Sequence, residues 1–323
     1  MQHSALKDLI DVRVALWPEG LPAPSPLAGR DLLSSPKSLD YYLRASSSLP
    51  GEVLTALSFF RKEPPKSGAL LVQGLPVGDL PNTPESPQGH IPKDRGTETL
   101  LLSLASALGY PVGYAPEHGG DLIQNIVPTR TSADRQVSTS SKVRLEFHTE
   151  AAFHPHRPRY LLLFCLRGDQ AAATTLSSVR DAVKLVEPGV LNVLRQPRFA
   201  TGVDESYLGY RSSRLGPPIS VISGPDGGES ICFDGDLMQG LDSEAADAFE
   251  SLRRAIDDVA RSIVLTSGDL LVVDNHIAVH GRSPFTPRFD GTDRWLQRSF
   301  VLDDLSSAQS DIVDRVVRTR FDV

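Results

Sequence analysis

From Asp121 onward the apolar residues fall in short runs separated by turn formers: LIQNIV, LEFHTE, YLLLFCL, ATTLSSV, ISVIS, SICFD, DLLVVD and LQRSFVL. Runs of this length and spacing predict the short strands of a β sandwich or barrel. Ahead of them the period changes. Residues 51–61 and 97–108 (TETLLLSLASAL) carry helical spacing, with the strand GALLVQGL between them. A further helix is predicted late in the chain, because Ala245, Phe249, Leu252, Ile256, Val259 and Ile263 recur at steps of four and three and form one apolar stripe. The expected class is α+β, with a double-stranded β-helix core, the cupin-like jelly roll, and flanking helices. The open mouth of such a core can host a metal, although a fold by itself licenses no function.

The whole chain, 1–323, is expected to form a single domain. Pro18, Pro22, Pro24, Pro26 and the triplet Ser46, Ser47, Ser48 break up residues 1–50, which should wrap around the body as an N-terminal segment. Residues 77–95 are polar and proline-rich, the composition of a mobile surface loop and a candidate lid. Thirty-three Lys and Arg against forty Asp and Glu, without a basic run, give no footprint for nucleic acid and favour a small-molecule partner. Cys165 and Cys232 each sit in an apolar stretch and read as buried hydrophobes rather than a disulfide or thiolate ligands. No signal-peptide pattern opens the sequence and no apolar stretch nears the ~18 residues of a membrane span, so a cytoplasmic location is expected.

The chemistry concentrates in two places. In LEFHTEAAFH, His148 and Glu150 lie two apart on a predicted strand, so alternation points both side chains to one face. A lone H-x-E is weak, because chance produces it often. In the second cluster, GDLLVVDNHIAVHGRSPF, an apolar strand runs into a loop bearing His276 and His280, either of which can complete the set. Two histidines and one carboxylate on one side of an ion form the facial triad of non-haem iron oxygenases. Zinc hydrolases also use such ligands, but the helical H-E-x-x-H spacing is absent and His148 and His280 stand 132 positions apart, which favours iron. His154 and His156 would crowd His148 and are read as structural or supporting.

These segments resemble the clavaminate synthase-like group of iron(II)/2-oxoglutarate oxygenases, which includes arginine and asparagine hydroxylases of peptide antibiotic pathways. The likeness runs from about 109 to 302, through LIQNIVP, LEFHTEAAFHPHRPRYLLLFCLRGD, TTLSSV and GDLLVVDNHIAVHGRSPFTPRFDGTDRWLQRSFV. It implies His148, Glu150 and His280 as the iron ligands, in preference to His276. It also implies a dicarboxylate cosubstrate, 2-oxoglutarate, with Arg294, fourteen residues after His280, as the fork for its far carboxylate. Thr175 resembles the threonine that supports that carboxylate, and Arg298 the arginine that reaches the iron-side carboxylates. Asp204, Ser206, Asp234 and Asp236 resemble positions that hold the substrate side chain, and Glu117 and Gln124 those that grip its backbone.

The expected activity is hydroxylation of an unactivated carbon of a free L-amino acid with Fe(II), 2-oxoglutarate and O2. Clustered carboxylates suit a guanidinium or ammonium group, so arginine or a related cationic amino acid leads. Alternatives are a desaturase or cyclase acting on such an amino acid, an asparagine or lysine hydroxylase, and, outside enzymes, a cupin-like binding protein.

Overall fold

A computed structural model describes residues 10–13, 36–88, 91, 93, 95–204, 207 and 215–319. In chain order the strands are β1 (Ile10–Arg13), β2 (Ala69–Gln73), β3 (Tyr110–Tyr114), β4 (Gln124–Ile126), β5 (Leu145–His148), β6 (Tyr160–Arg167), β7 (Thr174–Ser178), β8 (Phe199–Thr201), β9 (Ile222–Ser223), β10 (Ser230–Ile231), β11 (Met238–Gly240), β12 (Arg261–Ile263), β13 (Leu270–Asp274), β14 (Ala278–Arg282), β15 (Trp295–Leu302), β16 (Ile312–Val313) and β17 (Val316–Val317). The helices are α1 (Pro36–Ser46), α2 (Gly51–Lys62), α3 (Gly96–Leu108), α4 (Val179–Ala182), α5 (Pro188–Leu194) and α6 (Ser243–Asp258). The protein is thus a mixture of helix and sheet, as the patterning predicts.

Among the described residues a nine-stranded sheet runs β1-β2-β13-β6-β15-β3-β17-β16, with β4 also paired to β15, and a four-stranded sheet runs β12-β7-β14-β5. From β4 to β7 successive strands alternate between the two sheets, and from β12 to β15 they alternate again. The run YLLLFCL shows why it lacks polar alternation. Leu161, Leu163 and Cys165 pack with Leu176, Ala278 and Leu296 between the sheets. Leu162, Phe164 and Leu166 pack outward with Phe60, Leu101 and Leu104 of α2 and α3. Both faces of β6 are covered, and each such side chain contributes roughly 1.5–3 kcal/mol when fully buried.

On the other side, Asp242 caps α6 by accepting the Ala245 N–H, and Ala245, Phe249, Leu252 and Ile256 bury against Val179, Leu194 and Phe233. The apolar stripe was expected to continue through Val259 to Ile263, but the helix ends at Asp258. Ile263 instead lies on β12 and packs between the sheets. A strand residue that must face the core fell by coincidence on the helical period. The runs ISVIS and SICFD shrink to β9 and β10, which pair with each other.

Most of the expected wrapping segment, 1–50, lies outside the described residues. Its described parts are β1, added parallel to the edge of β2, and α1, which packs on α3. Of the expected loop 77–95, residues 77–88 have no helix or strand, and Glu85 to Gln88 line a cavity of about 730 Å³. No helix among the described residues is long and apolar enough to cross a membrane.

Candidate active site

Pairing of β14 with β5 sets His280 opposite His148, with ring centroids 4.3 Å apart. The register shifts between His280 and Arg282, and Gly281 is where the chains come closest. A Cβ there would lie 2.5 Å from the Leu145 carbonyl oxygen, so the glycine is required by space. Glu150 differs from expectation. β5 ends at His148, and Glu150 reaches the histidines from the turn that follows. Its Oε1 lies 3.2 Å from His280 Nε2. One ligand atom from each of His148, Glu150 and His280 lies within 4.8 Å of the others, the one such cluster of potential ligands among the described residues.

The chemistry of this donor set fits a divalent first-row metal. His148 Nδ1 lies 2.9 Å from the Glu146 carbonyl oxygen. With Nδ1–H donating there, Nε2 carries the lone pair. Burial alone would raise the Glu150 carboxyl, but the Arg298 guanidinium and the His280 hydrogen bond outweigh it and hold it well below the usual carboxylate range. Burial pushes His280 down, toward the neutral imidazole. An ionised carboxylate and a neutral imidazole are the forms that bind metal.

His276 stands apart from this group. Its Nδ1 is 3.1 Å from Arg159 Nη1, and burial lowers its pKa to about 3. His154 and His156 are tied elsewhere, as read from the sequence. The His156 N–H donates to His154 Nδ1 at 2.9 Å, and His156 Nε2 is 3.1 Å from Asp311 Oδ2.

The three residues line a cavity of about 730 Å³ that also exposes Arg294, Arg298, Glu117 and Asp234. Arg294 is buried, and its described polar contact is a long one, Nη2 to Thr174 Oγ1 at 3.5 Å. Thr175, the expected partner, does not line the cavity. Alternation along β7 brings Thr174 to the Arg294 side instead, and the Thr175 hydroxyl has no hydrogen-bond partner. The loop before β7 is therefore one residue off the pattern used to place the threonine. Burial pushes the Arg294 guanidinium down, and among the described residues no carboxylate forms an ion pair with it. Arg282 lies near it, lowered to about 10 by burial and then by Arg294, and it donates to the Ser140 hydroxyl and to the carbonyls of Ser140, Val143 and Ser283.

Arg298 occupies the middle of the cavity wall. Its Nη1 lies 3.2 and 3.4 Å from the two Glu150 carboxylate oxygens, its Nη2 donates to Glu117 Oε2 at 3.1 Å, and its Nε donates to Gln124 Oε1 at 2.9 Å. The Gln124 amide in turn donates to Glu117 at 3.0 Å. Glu117, Gln124 and Arg298 thus form one hydrogen-bonded set beside the metal-facing carboxylate.

Asp204, Asp234 and Asp236 all line the cavity, whereas Ser206 lies outside the described residues. Asp236 is not on the same strand face as Asp234. It sits exposed in the turn 235–237. Asp234 bridges His148 across the backbone, and its Oδ1 accepts the N–H groups of Asp236 and Leu237 at 2.9 and 2.8 Å. Burial nonetheless pushes its carboxyl up. Thr174 and Arg282 escaped the sequence reading. The arginine of the HGR triplet was the available signal for Arg282, because a cation two residues from a ligand on the same strand must face the same cavity.

The family model described as taurine catabolism dioxygenase TauD, TfdA family, matches residues 66–300. The chain is similar to an L-lysine 3-hydroxylase of Catenulispora acidiphila, 39% identical over 284 residues that cover 86% of this chain and 79% of that protein. It also resembles the structure of asparagine oxygenase in complex with Fe(II), 2S,3S-3-hydroxyasparagine and succinate, with a TM-score of 0.86 and 30% identity over 95% of this chain and 98% of that one. The non-heme iron oxygenase OrfP in complex with Fe, succinate and (3S)-hydroxy-L-Arg gives a TM-score of 0.81 and 30% identity, covering 90% of this chain and 92% of that one.

Proposed function

Because the chain belongs to the TauD/TfdA dioxygenase family, we propose that it is an iron(II)/2-oxoglutarate-dependent oxygenase that hydroxylates an unactivated carbon of a free cationic L-amino acid, arginine or lysine foremost. The observation that carries this reading is the joint placement of His148, Glu150 and His280 with Arg294, a buried cation with no ion-pair partner among the described residues, on one cavity. A binding protein needs no such combination. The two interleaved sheets support the jelly-roll reading, since strands that alternate between facing sheets in chain order build that core. We read the whole chain as one oxygenase domain and, from its two free cysteines, place it in a reducing cytoplasm.

His148, Glu150 and His280 would hold iron. When bound with 2-oxoglutarate and O2, the iron supplies the oxidation of a carbon–hydrogen bond, coupled to loss of carbon dioxide and formation of succinate. The protein's part is binding and orientation. Arg294, steadied by Thr174, receives the far carboxylate of the cosubstrate, and the neighbouring Arg282 adds positive potential at that end. Arg298 orients carboxylates near the metal. Glu117 and Gln124 hold the substrate ammonium, and the aspartates fix the distal cation. Residues 85–88 line the cavity, which supports reading the 77–95 loop as a lid over bound substrate.

Anaerobic addition of Fe(II) and 2-oxoglutarate should give a visible charge-transfer band, and air should then yield succinate only when an amino acid is present. Absence of both would sink the assignment. Arg294→Ala should raise the 2-oxoglutarate requirement by roughly 10- to 100-fold, the loss of a charge-assisted hydrogen bond worth about 1.5–3 kcal/mol. Titration of the band with cosubstrate checks this, and an unchanged midpoint removes Arg294 from that role.

A further inference from the structure

Glu150 approaches the cluster from a turn, and the next residue, Ala151, has a left-handed φ of 51°. A chain that has just left its strand has no ladder partner to fix it. Here the partner is a side chain. Asn275, fully buried just past β13, accepts the Glu150 N–H at Oδ1 (2.7 Å) and donates from Nδ2 to the Glu150 carbonyl (3.1 Å) and the Pro158 carbonyl (2.9 Å). Its own backbone is anchored, with its N–H donating to the Arg159 carbonyl at 2.9 Å. The preceding residue, buried Asp274, receives Arg159 Nη2 at 2.6 Å. The amide is therefore held by β13 and by the segment that follows Glu150.

We propose that Asn275 is a positioning residue for the candidate metal centre, pairing both backbone groups of Glu150 so that its carboxylate faces His148 and His280. The inference rests on the reading of Glu150 as a metal ligand. An asparagine amide carries a donor and an acceptor side by side, as a peptide group does, so it can satisfy the N–H and the C=O of one residue together. No apolar side chain of the same size can. Without the amide, two buried backbone groups of Glu150 lose their partners, and the turn reorients to recover them. Residues that orient metal ligands typically change metal affinity by ~10–100-fold when replaced.

The test is a cobalt(II) titration of the full-length metal-free protein, read by the visible bands of the bound ion. Wild type should bind one cobalt and Glu150→Ala should bind it weakly. Asn275→Leu, which fills the same space without hydrogen bonds, and Asn275→Ala should weaken binding by ~10–100-fold and alter the band pattern. Asn275→Asp, which keeps the acceptor for the Glu150 N–H, should fall between. A purely structural role would lower the melting temperature of these variants while folded protein bound cobalt with wild-type affinity and bands, and that result would overturn the proposal. If wild type binds no cobalt, or Glu150→Ala binds it normally, the metal-site reading itself fails, an outcome distinct from normal binding by the Asn275 variants alone.

Discussion

His280→Ala protein is expected to retain no iron(II) after desalting, to show no charge-transfer band with 2-oxoglutarate, and to form no succinate above background. The loss should exceed the ~10–100-fold typical of residues that only orient a ligand, because one of three donors is removed outright. His280 is buried on β14, opposite His148 and 3.2 Å from Glu150, so no neighbouring side chain is placed to substitute. His276→Ala is the informative control. Only four positions away in sequence, His276 has its ring turned to Arg159 and should leave iron binding intact. Iron content by metal analysis, measured beside circular dichroism to confirm folding, decides between them. Iron lost from His276→Ala and kept by His280→Ala would reverse the ligand assignment.

That contrast marks what the sequence could and could not reveal. Two central strands of the large sheet were legible because β6 and β13 are covered on both faces and so appear as apolar runs, YLLLFCL and LLVV. His148 was legible from its place on a strand, whereas His280, expected on a loop, lies within β14. What failed lay at strand ends, where periodicity stops. Glu150 shares a side with His148 because a turn and Asn275 place it there, and not because a strand continues. Thr174 replaced Thr175 because a single-residue difference in the loop before β7 swaps the two faces of the strand. Asp236 lies in an exposed turn and not on a strand face because the backbone turns directly after Asp234. Asn275 itself could not be found by charge or spacing, since its function is hydrogen bonding to a backbone 125 residues away in sequence.

The substrate's charge is the second large effect expected. Asp204, Asp234 and Asp236 line the cavity, and Arg298 on the same wall is already engaged by Glu150 and Glu117. Asp236 is exposed and its charge is screened by water, so the weight falls on half-buried Asp234. Two backbone N–H groups favour its ionised form, yet burial outweighs them and pushes the carboxyl up, so the surroundings of Asp234 disfavour its negative charge. A guanidinium or ammonium group removes that penalty, whereas the neutral amide of asparagine leaves the charge uncompensated or the carboxyl protonated. A screen of the twenty amino acids for succinate formation should therefore rank arginine or lysine first, with product heavier by one oxygen. Asp234→Asn should lower kcat/KM for that substrate by about 30-fold, equivalent to roughly 2 kcal/mol, the low end for a hydrogen-bonded charge pair because the site is only half enclosed. Iron and 2-oxoglutarate binding should change little, since the variant keeps the size of the side chain and an oxygen acceptor for the turn. Faster turnover of asparagine than of any cationic amino acid would overturn the charge argument, and it would do so without touching the metal cluster or Arg294, on which the oxygenase assignment rests.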